Sequence, residues 1–381
     1  MREKHRRAAG EGSVYQRPDG RWVAALSFGY GPGGKRTRRK VSVRTKTAAV
    51  EALAALRRDR DDGLAVTTRV TVATWLEEWL RDHARVTTRP NTYRTYEQIV
   101  RQHLVPALGR HRLDRLTPAD VAGYLQVKSE KLSPKTCQHH HAVLRRALRK
   151  AEEYGYVHRN VARVVTPPSG NGQAGKWMDE EQARAFVASI VGHPLESLFV
   201  LAASTGLRRG EVLGVTWDAV DLDEGTLRVQ RALYRYGGAY HLDTPKSRKS
   251  YRTVTLPAPV VRLLRMRRAR QVESRLARGA AWEDRWNLAF TDDCGRPLAG
   301  ETVTHAFQAA LQAAGLPRFR FHDLRHSAAT FLIAAGIPLK HVSDVLGHST
   351  IAITADIYGH LLDESNRAAG EAIGRTLFGA R

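Results

Sequence analysis

Residues 157–176, VHRNVARVVTPPSGNGQAGK, constrain the fold of this 381-residue chain more than any other stretch. Pro167-Pro168 removes two backbone donors, Gly170, Gly172 and Gly175 loosen the backbone, and no hydrophobic period crosses the segment. One core cannot extend through it, so a boundary is expected there, with 161–176 as linker. The two sides also differ in pattern. Helical periods alone precede the linker from about residue 70, whereas helices and strands mix after it. The expected architecture is multidomain and mainly α with small β-sheets, divided into 1–66, 67–160 and 177–381.

In 1–66, SVYQRPDGRWVAALSFGY turns at Asp19-Gly20, because glycine accepts the positive backbone angle of a tight hairpin. GPGG at 31–34 makes a second turn, and KRTRRKVSVRT reads as a third strand. The run TKTAAVEALAALRRDRDDG follows as a helix, with Thr47 as N-cap and Gly63 as its stop. This is a three-stranded sheet plus one helix. Arg36, Arg38, Arg39, Lys40, Arg44 and Lys46 crowd on or beside one strand. Such a strand can enter a DNA major groove, and the same charges also suit a solvated edge strand guarded against aggregation.

Residues 67–160 read as four helices. Val72, Trp75, Leu76, Trp79 and Leu80 share one face, and Tyr93, Tyr96, Ile99, Val100 and Leu104 share the next. Pro106 and Gly109 close the second helix. Thr117-Pro118 starts the third and Ser133-Pro134 the fourth, SPKTCQHHHAVLRRALRKAEEYGY. The fourth buries Val143, Leu144, Ala147, Leu148 and Ala151. Its other face carries Lys135, His139, His140, Arg145, Arg146, Arg149 and Lys150, a set able to grip a duplex backbone. His139-His140-His141 is not read as a metal site: adjacent helical residues diverge, and no ligand at i+3 or i+4 completes the set.

Composition narrows the partner. A formal net charge of +23 and a pI near 10.5 point to a polyanion, nucleic acid before an anionic membrane. Cys137 and Cys294, the only cysteines, form neither a metal spacing nor a disulfide framework, which suits a reducing cytosol. MREKHRRAAGEG has no apolar stretch behind it, so no signal peptide is expected, and no run of about 18 apolar residues exists to span a membrane. Together these features lead to the expectation of a soluble, intracellular protein that binds nucleic acid.

In 177–381, Asp179 caps a helix whose first turn holds Glu180 and Glu181. An apolar helix then ends near Thr205-Gly206 and another begins near Arg208. Arg208 and Glu211 fall on one helical face. Strands follow in GTLRVQRALYRY, AYHLDTPKS and SYRTVTLP, with Lys246 expected at or near a hairpin tip between the last two. PVVRLLRMRRARQVESRLARG is a basic helix, and LAFTDDCGRPL a short strand and turn. FHDLRHSAATFLIAAG places His322 and Arg325 at i, i+3 and His322 and His326 at i, i+4. H-D-x-x-H is like the zinc pattern H-E-x-x-H, but its acid is Asp, Arg325 would sit beside the metal, and no third ligand is evident. IPLKHVSDVLGHSTIAITADIYGHL gives a helix, a turn at Gly347-His348-Ser349, and a helix reaching Tyr358.

Cations gathered around a tyrosine suit chemistry at a phosphodiester. Attack at phosphorus brings a second negative charge onto the equatorial oxygens, which two arginines can hold bidentately. Histidines add donors, and one can accept the phenol proton. A lysine on a mobile segment can protonate the leaving 5′ oxygen. The aryl phosphate ester keeps the bond energy, so the step reverses without ATP or a metal.

TGLRRGE, TPKSRKSYRTV, HDLRHSAAT, LGHS and DIYGHL, in this order and spacing, resemble the tyrosine recombinases, the phage integrase family. The resemblance implies Arg208 and Arg325 as catalytic arginines, Lys246 as the hairpin lysine with Lys249 as a neighbouring alternative, His322 and His348 as the histidines, and Tyr358 as nucleophile. Glu211 matches the family's acidic residue after the first arginine. The resemblance further implies a helical core-binding domain and a mainly helical catalytic domain with a small antiparallel sheet, clamping DNA from both sides. Residues 1–66 resemble an arm-binding domain. That favours an integrase of a phage or integrative element, cutting and rejoining DNA through a 3′-phosphotyrosine with no cofactor. A dimer-resolving recombinase and a DNA-binding regulator without catalysis are the alternatives. The implied partners are double-stranded attachment sites and a homotetramer on paired sites, with an excision factor or host architectural protein as accessory. The tail after Tyr358, with Leu361, Leu362, Ala369, Ile373 and Leu377 in a stripe, packs on its own domain or on a neighbouring subunit.

Overall fold

The computed structural model describes residues 11–30, 36–61, 70–170, 176–244, 250–348 and 350–358, with 376, 377 and 379 near the end. The chain divides into two compact units, Met1–Gly172 and Gln173–Arg381. It is mainly helical with small antiparallel sheets.

The first unit begins with an antiparallel sheet, β1 (Ser13–Gln16), β2 (Trp22–Tyr30) and β3 (Arg36–Val43), in that order. Gly20 makes the first turn at φ +78°. The helix Lys46–Asp61 lays Leu53 and Leu56 on Ala24 and Leu26 of β2. Its cap is Thr45 rather than Thr47: the Thr45 hydroxyl accepts from the Ala48 amide at 3.2 Å. The helix starts two residues earlier than expected, and a cap must stand just before the first helical residue. Gly63 lies outside the described residues.

Four helical stretches follow. Val72–Trp79 is capped by Thr71 and runs on through a π turn, Leu80–Ala84, into Arg85–Thr87. Pro90–Ile99 continues through a second π turn, Val100–Leu104, into Val105–Leu108. In that π turn the Val105 amide reaches back to the Val100 carbonyl. Proline has no amide for such a bond and clashes with a regular preceding turn, so the helix carries Pro106 without ending and stops at Gly109. Pro118–Ser129 opens with a capping box between Thr117 and Asp120, and Pro134–Glu153 is capped by Ser133. Their common core holds Trp75, Trp79, Leu104, Leu144 and Leu148, and the Trp75 indole donates to the Ala147 carbonyl at 3.0 Å. The start of the following segment stays on this core. Ala162 is buried and its carbonyl meets His141 Nε2 at 2.7 Å, while Gln138 donates to the Pro168 carbonyl at 3.0 Å.

The second unit packs helices around Phe186, Phe199, Phe307 and Phe321, with Phe186 and Phe307 edge to face at 5.3 Å. Asp179 and Gln182 form a capping box at the helix Glu180–Ser189. The apolar helix Glu196–Thr205 ends at Gly206, in the left-handed region. Five strands form two small antiparallel sheets: β4 (Val220–Asp221), β5 (Thr226–Val229) and β8 (Arg252–Thr255) in one, β6 (Ala232–Tyr236) and β7 (Ala239–Asp243) in the other. β5 pairs with β8, and β6 with β7. The expected single strand GTLRVQRALYRY is therefore broken at Gln230-Arg231. Gly214 abuts the backbone of Ala232 and Leu233 so closely that a Cβ would fall 2.8 Å from it.

This pairing moves the hairpin tip. The turn is Gly237-Gly238, both at positive φ, and the chain leading to Lys246 is the return connection from β7 to β8. Sequence spacing placed the lysine at the tip because it treated AYHLDTPKS and SYRTVTLP as partners. Their partners are instead the two halves of the preceding strand. Lys246 and Lys249 themselves lie outside the described residues. LAFTDDCGRPL forms a turn held by the isolated bridges Thr216↔Leu288 and Thr291↔Pro297, not a strand. The helices Ala258–Arg278, Gly300–Ala313, Asp323–Ala334, Leu339–Leu346 and Ile351–Tyr358 complete the unit. Among the described residues, no helix is long and apolar enough to cross a membrane. Of the tail stripe, Leu377 is described and exposed; Leu361, Leu362, Ala369 and Ile373 lie outside the described residues.

Candidate active site and nucleic-acid interface

Arg208 stands at the N-terminus of the short helix Arg209–Leu213, in extended backbone. Three residues on, Glu211 turns back: it accepts from the Arg208 amide at 3.1 Å and from Arg208 Nη1 at 2.7 Å. The other guanidinium nitrogen, Nη2, donates to the Gly347 carbonyl at 3.1 Å. The i, i+3 pair read from sequence is thus a real ion pair, and it is asymmetric. The Glu211 side chain is 3% exposed and that of Arg208 40%, so the carboxylate anchors and the guanidinium faces out.

Arg325 is 3% exposed in the first turn of Asp323–Ala334. Its Nη1 donates to the Gly206 carbonyl at 2.8 Å. Gly206 can serve only as glycine: its φ is +62°, and a Cβ would come within 2.6 Å of Leu346 Cδ2. Beside it, Asp323 is buried and clamps the Arg320 backbone at 2.7 Å and its guanidinium at 2.8 Å. Ser327 Oγ accepts from the Met178 amide at 2.8 Å, tying this helix to the start of the unit.

His322 stands at the exposed rim, its ring edge-on to His326 at 5.2 Å. Desolvation, then His326, Arg325, Arg208 and Arg320, push its imidazole down to about 4. His348, half-buried after the left-handed Gly347, meets the Thr354 hydroxyl through Nδ1 at 2.8 Å. Desolvation and then Arg325, Arg208, His326 and Arg252 push it to about 4. Both rings are neutral at pH 7 and can donate or accept through a ring nitrogen. Tyr358 closes the helix Ile351–Tyr358; its side chain lies outside the described residues.

Sequence reasoning gave Arg252 no role. It is buried, with its side chain 7% exposed. Nη2 donates to Glu211 Oε2 at 2.9 Å, Nε to the Val345 carbonyl at 2.6 Å, and Nη1 to the Ser250 carbonyl at 3.0 Å. Burial alone would raise the Glu211 carboxyl, but Arg252 and then Arg208 outweigh it and hold the group below its ordinary value. The signal for Arg252 was present in the alternation of SYRTVT. Ser250, Arg252 and Val254 share the inward face, and a cation on the inward face of a strand needs a partner. A separate groove of about 1030 Å³, lined by Asp218, Asp221, Arg265 and Arg268 among others, contains none of these residues.

In the first unit, Lys135, Arg145, Arg146 and Arg149 are exposed along one side of Pro134–Glu153. Arg145, Arg146 and Arg149 line a groove with Asn160 and Arg163. Arg146 bonds the Tyr96 hydroxyl and lies over that ring at 5.5 Å, and the ring stacks on Trp79. His140 does not belong to this face. It is 1% exposed, meets the Tyr124 hydroxyl at 2.8 Å and stacks on His103. The apolar stripe is wide enough to take it in. On β3 the pleat splits the basic cluster: Arg39, opposite Leu26, turns toward the Phe28 ring at 5.1 Å, while Arg38 and Lys40 alternate to the other face. Arg44 is exposed just beyond the strand, and the Arg36 side chain lies outside the described residues.

Two arginines, a buried carboxylate and neutral histidines on a mainly helical body are the equipment of a DNA strand transferase. The model of the phage integrase family matches residues 176–365, and that of the phage integrase N-terminal SAM-like domain matches 71–129. An integrase of Streptomyces ambofaciens is 33% identical, over 93% of each chain. The chain belongs to the phage integrase family of tyrosine recombinases and is a site-specific DNA recombinase. Its fold is similar to the Tn1549 transposon integrase in complex with a circular intermediate DNA (TM-score 0.67, 22% identity, 80% of this chain and 99% of that one). It is also similar to a lambda integrase dimer bound to a COC' core site (TM-score 0.57, 18% identity, 93% and 96%).

Proposed function

We propose that Tyr358 is the nucleophile and that the surrounding cations serve one phosphodiester. The phenol oxygen attacks phosphorus, the bond to the 5′ oxygen breaks, and a 3′-phosphotyrosine and a free 5′-hydroxyl result. Arg208 and Arg325 hold the non-bridging oxygens, and His322 and His348 add ring N–H donors or take the phenol proton. Lys246 protonates the leaving 5′ oxygen. Glu211 orients Arg208. Attack by a 5′-hydroxyl from a second duplex reverses the step and exchanges strands.

The observation that carries this reading is a cross-brace between distant stretches. Arg325 bonds the carbonyl two residues before Arg208, and Arg208 bonds the carbonyl one residue before His348. No structural requirement of a helical core calls for two arginines each braced on the backbone beside another residue of the site. A phosphate site does, because both guanidiniums must be fixed before charge develops.

In the same reading, residues 1–66 bind arm-type DNA through Arg36, Arg38, Arg39, Lys40 and Arg44, and 67–160 bind core DNA through Lys135, Arg145, Arg146 and Arg149. The linker 161–176 joins them to the catalytic domain, 177–381. The partners are double-stranded attachment sites of a phage or integrative element, a homotetramer on paired sites, and an excision factor or host architectural protein. The location is the bacterial cytoplasm.

The test is adduct trapping on a nicked attachment-site duplex, built from the repeat shared by the two ends of the element that carries the gene. Wild type yields a covalent protein–DNA adduct. Tyr358→Phe binds the same duplex and yields none. An undiminished adduct in that variant would overturn the assignment, and absence of an adduct from the wild type would favour a binding protein without catalysis.

A further inference from the structure

We propose that Arg252 is a positioning residue for strand cleavage, which fixes Arg208 and His348 relative to each other through Glu211 and the Val345 carbonyl. This rests on the site assignment above and extends it to a residue with no part in that assignment.

The hydrogen bonds form a closed ring. Glu211 Oε1 takes Arg208 Nη1, and Arg208 Nη2 reaches the Gly347 carbonyl. Glu211 Oε2 takes Arg252 Nη2, and Arg252 Nε reaches the Val345 carbonyl. Val345 and Gly347 lie on the same chain end, at the close of Leu339–Leu346 and just before His348. One carboxylate therefore holds two guanidiniums, and each guanidinium holds one of two backbone carbonyls at the entry to His348.

Each bond meets a physical need. The last carbonyls of a helix have no intrahelical partner, and Arg252 satisfies one of them. A carboxylate as buried as Glu211 requires more than the half-exposed Arg208 to compensate it, and Arg252 is buried alongside it. Arg252 also holds its own strand, through the Ser250 carbonyl, at the point where the chain returns from the Lys246 stretch. A planar fork with three acceptors in three directions suits arginine and not lysine, whose ammonium is a single point charge on a flexible stem.

The experiment compares Arg252→Lys with wild type in the full-length protein on the same nicked duplex. Three quantities are read: adduct rate at saturating protein, duplex affinity, and melting temperature. Misplacement of catalytic groups by about an ångström costs on the order of 100-fold in rate, so Arg252→Lys should slow cleavage by about 10- to 100-fold while affinity stays within about threefold. A second variant, Arg252→Met, removes the charge that favours the Glu211 carboxylate, and the acid limb of its pH–rate profile should move to higher pH. A purely structural role would not move that limb. Glu211→Gln should slow cleavage in wild type and add little to Arg252→Lys, since both break the same ring.

Cleavage by Arg252→Lys within twofold of wild type, with an unmoved acid limb in Arg252→Met, overturns the proposal. So does a loss of rate that tracks loss of affinity and melting temperature in both variants. These outcomes are distinct from failure of the site assignment. An adduct retained in Tyr358→Phe removes the nucleophile, whereas an adduct present in wild type, absent in Tyr358→Phe and undiminished in Arg252→Lys removes only the role of Arg252.

Discussion

Gly206→Ala would place a methyl group where the structure has no room and no backbone freedom. Gly206 closes the helix Glu196–Thr205 at φ +62° and ψ +23°. An alanine in that left-handed region costs about 1–2 kcal/mol. Its Cβ would fall 2.6 Å from Leu346 Cδ2, 3.4 Å from Ala328 Cβ and 3.7 Å from Arg325 Cγ. Leu346 is fully buried against Ala329 and Val342, so its methyl cannot swing clear. Forcing a packed core to accept an extra carbon costs about 1–3 kcal/mol. The sum is about 2–5 kcal/mol, read as the shift in urea unfolding of the full-length protein. The functional loss should exceed the stability loss, because the displaced carbonyl is the one that holds Arg325. Under native conditions, where the variant remains folded, adduct formation should fall by more than tenfold. A destabilisation below about 1 kcal/mol, or full cleavage by a destabilised variant, would refute the steric reasoning or the bracing of Arg325, respectively.

His348 gives a pH dependence with a definite sign. Its folded value near 4 lies below the ordinary 6.5, so the neutral ring is favoured in the folded state. That stabilisation is present in full above pH 6.5 and is lost as pH falls from 6.5 through 4. His348→Asn should flatten the decline in urea midpoint over that window, and an unchanged decline would count against it. Arg208→Ala should abolish detectable adduct while leaving duplex binding within an order of magnitude; normal cleavage would contradict its place at the phosphate. Arg145, Arg146 and Arg149 changed together to alanine should weaken binding about equally for all sequences and flatten the salt dependence of log K by up to about 3, measured by titration at several salt concentrations. Tyr124→Phe removes the partner of the buried His140 Nδ1 and should cost about 1–3 kcal/mol, with no direct effect on cleavage chemistry in the second unit.

Much of the secondary structure was legible because its signals are local. Ser133, Thr117 and Asp179 stand where caps must stand, Gly206 and Gly347 where left-handed backbone is needed, and the periods of the helical stretches follow from one-sided burial. The composition and charge pointed to a nucleic-acid partner, and the ordered motifs singled out Arg208, Arg325, His322 and His348. Cap choice failed at Thr45 and Thr47, two threonines in one short run. Helix continuation at Pro106 was missed because a π turn takes up the proline's missing hydrogen bond.

What the sequence alone could not decide was pairing across distance. Antiparallel strands can meet in more than one order, and local alternation does not say which halves become partners: AYHLD pairs with ALYRY around Gly237-Gly238, and RTVT with TLRV. Nor could spacing foresee that Glu211 would hold two arginines, or that Arg252, 41 residues further on, would be one of them. The local order of residues determined which elements form and which cations the chain carries. Tertiary structure decided which of those cations are buried and share one carboxylate, because a carboxylate closed off from water takes its partners from whatever the fold packs against it, wherever they lie in the chain.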